Sequence, residues 1–374
     1  MEHGWWLVRT VNRFKKGGFM NHSSSLLSRL RKFFSEQKNV VQDELAQADS
    51  VKPPISIERP DWDETPLEKL QDDSDHLVAP KKPKKIKKQL TGEIDYVQCI
   101  SSSGLHRMAY RTWGDAENPN VLLCVHGLTR RGSDFEVLAE AMADRFRVVC
   151  PDVVGRGDSE HLSNPMLYGI PQYVSDMVTL IARIKPGRLD WFGTSMGGLI
   201  GMVLAGMEGS PIARILLNDV GTKIDPAFLM RLSTYLGKPT SFTTKEAGLA
   251  YVNKITETFG RHTPEQLARL NLPQLVEKNG SWTLHYDLNI SAPLMMPNPT
   301  AALTGEMALW RSFEQIAVPT LIVRGAESDL LSRATVEEMC HRNPNAWSVE
   351  VPQAGHAPAF ILPNQVQIAR DFFL

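Results

Sequence analysis

The stretch "LDWFGTSMGGLIGMVLAG", Leu189–Gly206, decides the fold. It opens on a short apolar run, passes through Gly193-Thr194-Ser195-Met196-Gly197, and continues with apolar residues at helical spacing. A near-continuous apolar run ending at a turn signal reads as a strand covered on both faces, and the segment behind it as a helix. Ser195 then stands in a sharp strand-to-helix bend with its hydroxyl directed out of the sheet. Side chains two positions before and after it would collide with the neighbouring strand and helix, so glycine serves at 193 and 197. The helix start behind the serine favours negative charge developing nearby. The spacing alone is a weak signal. At roughly 7% usage for each fixed residue, about one chain in ten of this length shows GxSxG by chance.

Outward from that turn the pattern repeats. "VLLCVHG", "FRVVCPD", "RILLND" and "PTLIVRGAESD" are further apolar runs ending in Gly or Asp, and "IDYVQCI" with "HRMAYRTWG" reads as a leading strand pair. Between them "DFEVLAEAMADR" and "IPQYVSDMVTLIARI" carry helical periodicity. Alternation of this kind from about Ile94 onward predicts an α/β fold with a mostly parallel, doubly wound sheet, and ligands in such sheets bind at the carboxyl ends of the strands. Residues 222–303 break the alternation with helix-like segments rich in Pro, Trp and Met, and read as a cap inserted over those strand ends. Met295, Met296, Trp282, Tyr286, Phe228 and Trp310 are its large side chains available as walls for a medium-sized apolar acyl group.

Residues 1–90 differ in composition from the domain that follows at 91–374. Acidic "ERPDWDETPLEKLQDDSD" and basic "KKPKKIKKQ" have few periodic apolar residues and read as a disordered arm and linker. Within the arm, "LLSRLRKFF" is a basic amphipathic segment suited to peripheral association with an anionic surface or to an organelle presequence, and Met20 is an alternative start. The chain has 374 residues and a formal net charge of −1, so bulk electrostatics point to no nucleic-acid partner. Its four cysteines form no CxxC pair, and Cys124 and Cys150 fall inside strand-like runs, which suits a reducing compartment. A cytoplasmic location is expected, with an imported organellar matrix as the alternative. No HxH, HExxH, GxGxxG or GxxxxGK[ST] pattern is present, so neither a metal nor a cofactor is expected.

A serine nucleophile needs a base, and the base an orienting carboxylate. "LIVRGAESDLLS" places Asp329 after one late strand and "VEVPQAGHAPAF" places His356 after the next. Asp219, ending the strand "RILLND", and Glu327 stay open as rivals for the acid, and His126 beside Gly127 as the rival base. The order Ser…Asp…His, with "VHGLTR", "PDVVGRGDS", "GTSMGG" and "AGHAP", resembles the α/β-hydrolase superfamily, in its serine esterase or lipase-like, cap-bearing form, from about Ile94 to Leu374. The resemblance implies Ser195 as nucleophile, His356 as base and Asp329 as acid, with the backbone N–H groups of Leu128 and Met196 as the oxyanion hole. It gives His126 the shaping of the oxyanion loop. The implied reaction is cleavage of a carboxylic ester, thioester or lactone of a small-molecule acyl substrate through an acyl-enzyme. C–C bond hydrolysis, acyl transfer and a non-catalytic binding protein on the same fold are the alternatives. Asp152 and Arg156 are expected to stabilise the loop after their strand. Arg130 and Arg131 are expected to be solvated or to meet a substrate carboxylate. His106, His161, His262, His285 and His341 belong to no motif. The acyl and leaving groups and the oligomeric state are not written in the sequence.

Overall fold

The apolar runs form the middle of an eight-stranded sheet in the computed structural model, which describes residues 89–294 and 299–374. The expectations for the arm, and for Met295 and Met296, lie outside the described residues. An antiparallel pair, β1 (Gln89–Ser101) and β2 (Gly104–Asp115), leads into β3 (Asn120–Val125), β4 (Arg147–Pro151), β5 (Arg188–Thr194) and β6 (Ile212–Asn218). After the inserted segment come β9 (Thr320–Gly325) and β10 (Ala346–Val351). The spatial order is β1-β2-β4-β3-β5-β6-β9-β10, antiparallel only at the β1–β2 and β2–β4 pairings.

The period of two along each strand divides the core. Val121, Leu123, Trp191 and Leu217 join one buried cluster, and Leu122, Cys124, Phe192 and Leu216 join the other. Each large side chain buried this way contributes about 1.5–3 kcal/mol, which is why both faces of the central strands read as apolar. Helices α1 (Glu136–Met142) and α9 (Pro363–Phe373) cover the second cluster through Leu138, Met142, Val366 and Phe373. Helices α2 (Ile170–Ile184), α3 (Met196–Ala205), α7 (Pro299–Glu314) and α8 (Arg333–Arg342) cover the first through Met177, Ile200, Phe313 and Met339.

The inserted segment supplies α4 (Pro226–Leu232), α5 (Lys245–Ile255), α6 (Pro264–Asn271) and a hairpin of β7 (Leu275–Lys278) and β8 (Ser281–Leu284). The hairpin departs from the all-helical reading of this stretch: four-residue strands are too short to show a period of two. The boundary expected at residue 303 falls inside α7, which returns to the core at Phe313. Among the described residues no helix is long and apolar enough to cross a membrane.

Candidate active site

β5 ends at Thr194, α3 begins at Met196, and Ser195 between them holds φ 53° and ψ −117°. The spacing requirement read from the sequence has a measurable cause. A Cβ at Gly193 would lie 2.4 Å from the Gly197 carbonyl oxygen, and one at Gly197 would lie 1.9 Å from the Val125 carbonyl oxygen. Neither position accepts a side chain, so strand, turn and helix close tightly enough to leave the half-buried Ser195 projecting alone.

His356, on the loop after β10, brings Nε2 to 2.9 Å from Ser195 Oγ. Its other ring nitrogen, Nδ1, is 2.8 Å from Oδ2 of Asp219. Asp219 follows β6 directly and is wholly buried. Its backbone takes φ 52°, its Oδ1 accepts the Gly325 N–H at 2.8 Å, and its Oδ2 also accepts the Ser328 hydroxyl at 2.7 Å. Gly325 of β9, Ser328 of its following loop and His356 thus converge on one carboxylate.

Asp329, the residue expected to orient the base, is engaged elsewhere. Arg231 on α4 grips it with Nε to Oδ2 at 2.5 Å and Nη2 to Oδ1 at 2.9 Å. Partial burial works to raise the Asp329 pKa, but the Arg231 guanidinium outweighs it and holds the carboxyl below its ordinary value. The correction has a plain physical origin. The loop after β9 points Ser328 inward to Asp219 and leaves Asp329 facing the cap, about a third exposed. Arg231 is 98 positions away in the chain, so no local pattern announces the pairing. The signal for Asp219 is an Asn-Asp pair closing a strand whose last four residues are buried. Glu327 is exposed, and His356 Nδ1 is taken by Asp219.

The loop after β3 passes beside the serine: a Cβ at Gly127 would lie 3.6 Å from Ser195 Cβ. Leu128 follows it, and Met196, as the first residue of α3, has an N–H that the helix itself leaves unpaired. His126 holds this loop. Its Nδ1 is 2.7 Å from the Gly127 carbonyl, and its Nε2 accepts the Val153 N–H at 2.9 Å. Burial, with the nearby arginines adding to it, pushes its pKa down to about 3, so the ring is neutral and Nδ1 is the protonated nitrogen.

Ser195, His356, Gly127 and Leu128 open onto a pocket that the cap closes with Phe228, Leu232, Tyr235, Val252 and Tyr286. The Phe228 ring meets the His356 ring edge-on at 4.8 Å, and Thr258 of the cap donates its hydroxyl to the His356 carbonyl at 2.8 Å. Trp282 and Trp310 pack the cap and α7 against the core and do not line this pocket.

Arg130 and Arg131 are neither solvated nor free. Arg130 pairs with Asp134 at 2.7 Å and donates to Asn271 and to the Leu270 carbonyl, both at 3.0 Å. Arg131 bonds Asp152, Asp158, His285 and the Pro273 carbonyl. Both therefore tie the loop after β3 to the inserted segment. Asp152 accepts the Gly132 and Asp158 N–H groups at 2.6 and 2.9 Å, the loop-stabilising part expected of it. His106 pairs with Asp176 in the core, and none of His106, His161, His262, His285 and His341 lines the pocket.

Comparison with known proteins gives the family. The alpha/beta hydrolase family model matches residues 122–366. The chain belongs to the alpha/beta hydrolase family. It is 56% identical over 284 residues, covering 75% of this chain and 97% of the other, to a 3-hydroxybutyrate-oligomer hydrolase of Cupriavidus necator. A 3-oxoadipate enol-lactonase of Acinetobacter baylyi is 25% identical over 66% of this chain and 85% of its own length. Among solved structures, an alpha/beta hydrolase from Novosphingobium aromaticivorans superposes with TM-score 0.66 at 33% identity, over 76% of this chain and 98% of that one. The protein is an enzyme of this family, an α/β-hydrolase.

Proposed function

We propose that this hydrolase cleaves the ester bonds of short 3-hydroxybutyrate oligomers through a Ser195–His356–Asp219 triad and an acyl-enzyme. The observation that carries the reading is the His356 ring, bridging Ser195 Oγ at 2.9 Å and Asp219 Oδ2 at 2.8 Å on the wall of a capped pocket. The oligoester comes from the relative that is 56% identical along nearly its whole length.

In this reading Ser195 Oγ attacks the ester carbonyl carbon while His356 Nε2 takes its proton. The carbonyl oxygen becomes an oxyanion against the N–H groups of Leu128 and Met196; a donor of this kind is worth roughly 10²–10³ in rate. Collapse breaks the ester C–O bond, and His356 returns the proton to the departing alkoxide of the shortened oligomer. Water, deprotonated by the same nitrogen, then releases the acyl group from Ser195. Asp219 keeps the proton of His356 on Nδ1 and stabilises the imidazolium. The cap wall of Phe228, Leu232 and Val252 offers methyl-bearing repeats an apolar surface.

The test is incubation with the dimer and trimer of 3-hydroxybutyrate, following release of free 3-hydroxybutyrate, beside fluorophosphonate labelling of wild type, Ser195→Ala and His356→Ala. Monomer release with labelling that requires both residues is expected. Labelling without oligomer cleavage would discard the substrate and keep the triad. A folded wild type that neither labels nor turns over ester would discard both and favour a binding protein.

A further inference from the structure

Arg156, in the loop after β4, is wholly buried, and among the described residues no carboxylate forms an ion pair with it. An unpaired buried guanidinium is costly unless its donors are satisfied, so where those donors point is informative. Nε donates to the Leu128 carbonyl at 2.8 Å. Nη1 donates to the Val154 carbonyl at 2.7 Å and the Tyr173 hydroxyl at 3.0 Å. Nη2 lies 3.7 Å from the Met196 sulfur. The faces of Tyr168 and Tyr173 lie 5.7 and 5.0 Å from its Cζ, an arrangement that favours a cation.

Leu128 and Met196 are the two residues whose N–H groups would hold the oxyanion, and they come from loops 68 positions apart. One rigid, planar side chain touches both. Its backbone is fixed from the other side by the cap: Arg156 bridges Tyr286, the Gly157 N–H reaches the His285 carbonyl at 2.9 Å, and the Asp287 N–H reaches the Gly155 carbonyl at 2.8 Å. Its charge is also felt in the oxyanion loop, where it adds to the burial that keeps His126 neutral.

We propose that Arg156 is a positioning residue of the oxyanion hole: it sets the distance between the Leu128 and Met196 donors and couples that distance to the seating of the cap. The inference rests on the serine-hydrolase reading above. A neutral side chain of similar length would hold the loop as a strut. Only a forked donor fixes the Leu128 carbonyl while reaching Met196.

The experiment compares wild type, Arg156→Lys, Arg156→Met and Tyr173→Phe, measuring kcat and KM on p-nitrophenyl butyrate and the inhibition constant of a boronic acid that forms a tetrahedral adduct on serine. Arg156→Lys and Arg156→Met are expected to lose roughly 10- to 100-fold in kcat, less than outright loss of a donor, with KM changed by less than about threefold. The boronate constant should rise by a matching factor. Tyr173→Phe, which removes a single hydrogen bond, should move kcat and the boronate constant together by a few-fold, and it decides the matter if the arginine variants do not fold. A kcat loss with an unchanged boronate constant, or folded arginine variants at wild-type kcat, overturns the proposal. Fluorophosphonate labelling of the wild type separates this failure from failure of the parent reading, in which Ser195 would not label at all.

Discussion

Two buried histidine–aspartate pairs stand in different parts of this sheet, and they have different fates. His356 and Asp219 gather at the carboxyl ends of β6, β9 and β10, with Ser195 on the free ring nitrogen and a pocket beyond it. His106 and Asp176 gather between β2 and α2, Nε2 lying 3.1 Å from both carboxylate oxygens, with Cys99 of β1 directly opposite in the hairpin register. By residue type the second group could pass for a cysteine nucleophile with its base and acid. It is closed on every side: Cys99 and His106 are each 2% exposed and Asp176 not at all. Burial, with Asp176 nearby, pushes the Cys99 thiol up to about 12, so it stays protonated and inert. The difference teaches that a nucleophile, a base and an acid in contact are not yet a site. Ser195 is held in a bend that expels it from the core, whereas Cys99 faces inward from an ordinary strand.

The largest expected effect separates the two groups. Ser195→Ala and His356→Ala should lower kcat by roughly 10⁴-fold or more, while Cys99→Ser should leave the kcat of folded protein within about twofold. Steady-state ester turnover measures both, and comparable losses at Ser195 and Cys99 would erase the distinction. Next comes the choice of acid. Asp219→Asn is expected to cost roughly 10³- to 10⁴-fold in kcat through the wrong histidine tautomer, and Asp329→Asn less than tenfold. The reverse ranking would restore Asp329 to the part expected from the sequence.

His106→Ala should act on stability instead. Asp176 then keeps only Gln172 as a side-chain donor, which costs about 1–3 kcal/mol in denaturant unfolding, with the kcat of the folded fraction unchanged. A pH dependence of stability comes from His126. An unfolded histidine takes up its proton below about pH 6.5 and the folded one only near pH 3, so between those values the unfolded state binds more protons. Stability should therefore fall as pH drops from 6.5 towards 3, by at most about 1.4 kcal/mol per pH unit from this group. A His126→Gln variant should show a shallower slope than wild type, and an identical slope would assign the dependence to other groups.

The sheet was legible because strands buried on both faces are apolar nearly throughout, as in "VLLCV" and, apart from the Arg214-paired Asp190, "LDWF". Ser195 was legible because its bend excludes Cβ atoms at 193 and 197, a steric demand that only glycine meets. His356 was legible from the strand and the Gly-His-Ala-Pro loop that carry it. The proposed acid was not, since a carboxylate needs only to come within hydrogen-bond reach, and the ends of β6 and β9 each offer one. The choice falls to the left-handed turn at Asp219 and the inward Ser328, both conformational facts without a composition signature. Arg130 and Arg131 looked like solvated cations because their partners Asn271, Leu270, His285 and Pro273 lie about 140 or more positions onward in the inserted segment.

In the proposed triad the acid follows β6, which frees Asp329 in the loop after β9 from a chemical duty for a mechanical one, while its neighbour Ser328 holds Asp219. Asp329 moors α4 to the core through Arg231, one residue along the chain from the Ser328 that bonds Asp219. The cap still touches the site at Thr258, Phe228 and the Arg156 bridge, so the Arg231 mooring is one attachment among several. That attachment can be redrawn for a longer or bulkier substrate while the acid keeps its place beneath it.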